Sequence, residues 1–168
     1  MITESQEKYL ATRPDKSVYI KPFDPKARET GNQLVSELRN LLPGLIVHFA
    51  GAAALGIAGQ NDIDINILST PEDYGKHRPI LEKKFGEPSR ISKSIKWEFK
   101  RGGFHIELYL TDKNSPSIQE QIKVFEILSQ SKELRDEYEK LKLPYGEIDY
   151  KKYMRKKYEF FNKILGIE

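Results

Sequence analysis

The chain has 168 residues, 38% of them hydrophobic and 32% charged, with a formal net charge of +3 and a pI near 8.9. That length is enough for one soluble domain, or for one domain with a helical extension, to bury a core without staples. Cysteine is absent, which excludes disulfides, thiolate metal sites and thiol nucleophiles, and no apolar run approaches the roughly 20 residues that cross a bilayer. The opening MITESQEKYLATRPDK has no apolar signal-peptide core, so the cytoplasm is the expected compartment.

In chain order, residues 1–18 read as a frayed or weakly helical lead-in and residues 18–20 as a short strand. Asp24 has the chemistry of a helix N-cap, with Pro25 at the first helical position. Ala27, Gly31, Leu34, Leu38, Leu41 and Leu42 then recur at helical spacing, which predicts an amphipathic helix over residues 25–42, stopped by Pro43-Gly44. Residues 45–49, LIVHF, are a compact apolar run and predict a buried strand. Residues 50–60, AGAAALGIAGQ, are mostly Gly and Ala. Such side chains suit a tight turn whose backbone approaches something closely, a close-packed helix, or both.

Residues 62–68, DIDINIL, alternate strictly, with Asp62, Asp64 and Asn66 on one face and Ile63, Ile65 and Ile67 on the other. Thr70-Pro71-Glu72-Asp73 has the composition of a helix start, and Pro79 is expected to interrupt or restart that helix before Phe85-Gly86. Residues 95–100 and 104–110 alternate on either side of Arg101-Gly102-Gly103, the pattern of a β-hairpin. From Ser117 onward the spacing is helical, in two or three segments broken near Gln130 and at Pro144-Tyr145-Gly146. These elements predict a single α+β domain over residues 1–168. Its small mixed sheet is flanked by helices in an α/β-like core at 19–116, and residues 117–168 form a helical C-terminal part.

Three carboxylates stand out. Asp62 and Asp64, at i and i+2 of a strand, project from the same face, and two like charges so close call for a cation or a proton between them. Hard divalent cations take this kind of oxygen-rich site, commonly with phosphate and water completing the shell. Taken alone, such a pair is better read as lining the solvated side of an edge strand. Glu107 alternates with core residues in the second hairpin strand and becomes a third acid on the pair if the two strands lie side by side. His105 shares its face. The Gly/Ala turn ahead of Asp62 adds backbone N–H groups suited to phosphate oxygens.

With these residues in place, residues 48–65, HFAGAAALGIAGQNDIDI, resemble the signature of the GrpB-like family of the nucleotidyltransferase superfamily. Its features are a His, an apolar residue, Gly-Ser, a small-residue stretch ending in Gly-Leu, and a strand bearing Asp. Residues 134–150, LRDEYEKLKLPYGEIDY, are similar to the family's C-terminal region, so the resemblance spans about residues 19–165. It implies a nucleotidyltransferase-type fold and Mg²⁺- or Mn²⁺-dependent transfer of a nucleoside monophosphate from an NTP to an acceptor. Asp62, Asp64 and Glu107 would be the catalytic and metal-binding acids, and Ala50, Gly51, Ala52 and His105 would lie at the nucleotide.

The chain also departs from the pattern. A gapless match sets Ala50 at the family's Gly and Gly51 at its Ser; a shift by one sets Gly51 at Gly and Ala52 at Ser. Either way the loop hydroxyl is missing, and Gln60 stands where family members often carry Lys. Those departures motivate a second reading, a catalytically silent fold that binds nucleotide or a partner. A third, nucleic-acid binding through the basic aromatic segment 150–163, is the weakest, because a helix with one packed aromatic face and one solvated basic face has the same composition. A membrane is not expected as a partner.

Overall fold

The computed structural model describes residues 1–167. A five-stranded mixed sheet forms its centre, built from β2 (Ile46–Ala50), β3 (Ile63–Ser69), β4 (Arg90–Ile91), β5 (Ile95–Arg101) and β6 (Phe104–Asp112). The spatial order is β2-β3-β6-β5-β4, and the β3–β6 pair is parallel while the other pairs are antiparallel. Parallel neighbours need a crossover, and the long connection through α4 (Tyr74–Phe85), β4 and β5 supplies it. The chain is therefore α+β, as its alternating patterns predict.

One face of the sheet is the main core. Ile63, Ile65 and Ile67 of β3 and Ile106, Leu108 and Leu110 of β6 are all inaccessible to solvent. They pack with Leu34 and Leu38 of α2 (Pro25–Leu41) and Leu81 of α4. Asp24 caps α2 through a side-chain bond to the Lys26 N–H at 2.9 Å, and Pro25 opens it. Gly31 lets α2 settle onto β2, since a Cβ there would stand 2.3 Å from the Phe49 ring. Gly102 (φ +60°) and Gly103 (φ +85°) turn the β5–β6 hairpin, both left-handed as a two-residue turn of this kind requires.

The opposite face of the sheet carries a second cluster. Leu55 at the end of α3 (Gly51–Leu55) and Ile57 just after it pack with Val124 and Leu128 of α5 (Pro116–Gln130), Tyr138 of α6 (Lys132–Lys140) and Phe160 of α7 (Tyr150–Leu165). No helix among the described residues is long and apolar enough to cross a membrane.

Four expectations change. The lead-in is a capped helix, α1 (Glu4–Ala11), in which Thr3 and Gln6 form a capping box. It is tied to α7 by Gln6–Asn162 hydrogen bonds and the Glu7–Arg155 ion pair. Second, β1 (Ser17–Ile20) pairs with β7 (Gly146–Asp149), a strand inside the segment expected to be helical or broken. Third, Pro79 lies within an unbroken α4, where burial of Leu81 against the sheet outweighs one missing backbone hydrogen bond. Fourth, the strand at residues 45–49 is an edge strand, with Val47 buried but Ile46 66% exposed.

Candidate functional site

The parallel register of β3 and β6 sets Asp64 directly beside Glu107, on the face away from the main core. Asp62 lies two residues earlier, just ahead of β3, so the alternation that buries Ile63 and Ile65 turns both aspartates to this face. Across from Asp64 on its other side is Ala50, the last residue of β2, and the chain turns there into α3. Gly51 makes that turn with φ +86°, and a Cβ on it would stand 3.1 Å from Asp64 Oδ2. The backbone angle favours glycine, and a Cβ here would press on the Asp64 carboxylate. No side chain caps α3 at Ala50.

The electrostatics of the three acids differ. Burial raises the Asp64 carboxyl, with Glu107 and then Asp62 adding repulsion, and pushes it up to about 7 while Lys157 pulls the other way. Burial also raises Asp62; Glu107 adds to this, and His105 and Lys21 oppose it. Glu107 too suffers from burial, yet ends below the usual carboxylate range. Lys96 Nζ donates to it at 2.7 Å and the Tyr109 hydroxyl donates at 2.9 Å. Lys96 also reaches Glu98 at 2.9 Å, and the two carboxylates hold the Lys96 ammonium well above the ordinary lysine range. Among the described residues, Glu107 is in an ion pair while Asp62 and Asp64 are in none.

His105 lies with the glutamates. Its Nε2 is 3.4 Å from Glu98 and 3.8 Å from Glu107. Glu98, His105 and Glu107 are the one group of three acidic or imidazole side chains, among the described residues, whose ligating atoms all lie within 4.8 Å of one another. The Lys96 ammonium already bridges its two glutamates. The predicted acids therefore share one face, but Asp62 and Asp64 are half-buried there without an ion pair and Glu107 is neutralised from β5.

The turn between α3 and β3 is held from two sides. Lys21 and Gly59 exchange both backbone hydrogen bonds, at 2.8 and 3.1 Å, and Asn61 (φ +56°) is joined to Asp24 N–H and Pro22 C=O. From the other side α6 and Lys142, two residues beyond its end, reach in. Glu139 Oε1 accepts from the Ala58 N–H at 2.7 Å, and Lys142 Nζ donates to the Ala58 carbonyl at 2.8 Å.

That fold and loop invite comparison with known proteins. The GrpB protein family matches residues 17–166. The chain belongs to the GrpB family. The family is nucleotidyltransferase-like, which agrees with the position of the turn and the two aspartates. Among solved structures, the conserved protein GrpB from Enterococcus faecalis aligns with a TM-score of 0.58 at 14% identity, over 87% of this chain and 99% of that one. At that identity the likeness concerns the fold. No curated protein sequence matches the chain.

Sequence reasoning missed several residues of this GrpB-family site. Lys96 and Glu98 do alternate with buried Ile95 and Trp97, so their face was legible, but their convergence on Glu107 depends on the β5–β6 register. Lys157 of α7 lies within electrostatic reach of Asp64, supplying from the C-terminal part a positive charge that Gln60 does not. Other cations of α7 are engaged elsewhere: Lys151 with Asp15, Arg155 with Glu7, Lys163 with Glu137.

Proposed function

We propose that this chain is a nucleotidyltransferase that binds an NTP with Mg²⁺ or Mn²⁺ and transfers the nucleoside monophosphate to an acceptor, releasing pyrophosphate. The observation that carries this reading is the pair Asp62 and Asp64, two unpaired carboxylates on one face against a left-handed glycine. Burial raises both carboxyls and the neighbouring anions add to it, and a donor set made only of oxygens fits a hard divalent cation. Asp62 and Asp64 would hold that cation, with Glu107 flanking it. The bound metal would neutralise charge on the triphosphate and its leaving group.

The chain's own groups would do the rest. The backbone N–H groups of Gly51 and Ala52, uncapped by any side chain, can take phosphate oxygens. Lys157 and Lys21 offset negative charge near Asp64 and Asp62 respectively. In the transfer, the acceptor oxygen bonds to the α-phosphorus as the bond to pyrophosphate breaks and the acceptor proton is released. Glu107 keeps its negative charge because Lys96 and Tyr109 stabilise it, so it serves the site better as a fixed charge than as a base. The same reading makes an NTP and a small-molecule or macromolecular acceptor the partners, in the cytoplasm.

Replacing both aspartates (D62N with D64N) should abolish Mg²⁺-dependent NTP binding by calorimetry; binding at wild-type strength would sink the proposal. A second reading has one specific observation in its favour. The Lys96–Glu107 pair leaves the third acid neutralised, as a protein that binds nucleotide without turnover would tolerate. Labelled NTPs with a panel of hydroxyl and amine acceptors separate the two, since repeated transfer excludes a silent site.

A further inference from the structure

Lys142 is 1% exposed, and it is the largest buried residue that bears a formal charge. Its ammonium donates to the Ala58 carbonyl at 2.8 Å and lies 4.2 Å from the centre of the Tyr138 ring. Three residues earlier, Glu139 accepts from the N–H of the same Ala58 at 2.7 Å. One residue of the turn thus has both of its backbone polar groups taken by two side chains from the far end of the chain. A buried amine carries a heavy desolvation cost, which a purely structural position would avoid with methionine or leucine.

What Ala58 connects gives the arrangement its meaning. The next residue, Gly59, lies so close to Ala52 that a Cβ on it would be 2.7 Å from the Ala52 Cβ, and Lys142 Nζ is 3.8 Å from the same point. Gly59 is also bridged to Lys21, and Asp62 follows three residues later. The clamp on Ala58 therefore bears at once on the α3 turn and on the approach to the first aspartate. Arg135 of the same segment donates to the Leu128 and Ser129 carbonyls at the end of α5, fixing α6 in the place from which Glu139 and Lys142 reach.

We propose that Lys142 and Glu139 are positioning residues for the acidic site, holding Ala58 so that Asp62 and the Gly51–Ala52 turn keep their mutual geometry. The role of the site as a metal–nucleotide centre rests on the reading above; the clamp itself does not. Outer groups that orient a metal-binding shell typically change affinity by about 10- to 100-fold when removed.

The test uses the full chain. Amide hydrogen exchange over residues 58–62 is read by NMR without ligand, and Mn²⁺ with ATP is titrated by calorimetry. Lys142→Met and Glu139→Leu should speed exchange at these amides by about tenfold and weaken Mn²⁺–ATP by about tenfold or more. Glu139→Gln, which keeps an oxygen acceptor for the Ala58 N–H, should leave both within about twofold of wild type. Leu128→Ala, a cavity in the second cluster, should lower the melting temperature without moving the affinity. Unchanged exchange in Lys142→Met overturns the clamp. Faster exchange with retained affinity overturns its positioning role. A wild-type chain that ignores Mn²⁺–ATP refutes the nucleotide reading instead, and exchange still decides the clamp.

Discussion

Gly51 shows how much a single residue position can fix. Its φ of +86° strains any other residue, and a built Cβ 3.1 Å from Asp64 Oδ2 would make that carboxylate shift. Gly51→Ala should destabilise the chain by roughly 1–2 kcal/mol through backbone strain alone, seen as a lower melting temperature. It should also weaken Mg²⁺–NTP binding, because the turn must move off Asp64. The aspartate face and Glu107 were legible in the sequence because a period of two is unambiguous when the intervening residues are all Ile or Leu. Lys142 was not: a lysine in a charged helical segment reads as solvated, and only the tertiary structure shows that it is enclosed.

Lys142 has a measurable consequence for pH. Burial, with Lys157 adding repulsion and Glu139 opposing, lowers its pKa from 10.5 to about 7. The groups facing it are the Tyr138 ring, Glu139 and the Ala58 carbonyl, with Lys157 on α7. A lysine depressed in the folded state binds fewer protons there than in the unfolded chain, so stability rises with pH between the two values. Below about 7 the full penalty for charging it applies. Asp64 works in the opposite sense and in the window below its own value of about 7, so between that value and the onset of tyrosine ionisation the lysine sets the slope. Thermal melts should therefore show stability climbing from neutral pH toward pH 10.5 in wild type and a flatter profile in Lys142→Met.

At the scale of elements, strong periodicity was a sound guide and weak periodicity was not. The α2 pattern, the hairpin with its Gly-Gly turn and the Asp-bearing strand all stand where the spacing put them. Of the paired four-residue strands, β1 was legible at residues 18–20, whereas β7 carries too little alternation to be read alone. Pro79 misled for a related reason: a local cost of one hydrogen bond says little about a helix that a buried Leu81 anchors to the sheet. The capping box of α1 was written in Thr3 and Gln6, but its docking on α7 was not, because the Gln6–Asn162 contacts join residues 156 positions apart.

For the whole molecule, the two hydrophobic clusters lie on opposite faces of one sheet and should melt as a single cooperative unit. Trp97, the only tryptophan, sits in the first cluster and reports on it by fluorescence. Leu128→Ala in the second cluster should cost about 2–5 kcal/mol and should move the Trp97 transition together with the circular-dichroism transition. Separate transitions would mean that residues 117–168 melt independently.

The ribbon formed by β1 and β7 ties residues 17–20 to residues 146–149. On a ribosome the strands of the central sheet, complete by Asp112, emerge well before the partner of β1 and before Glu139 and Lys142. A nascent chain therefore has the strands of its sheet before it has the groups that pin its acidic turn. A chain stopped short of Glu139 would keep the strands that carry the aspartates and lack both side chains that hold Ala58.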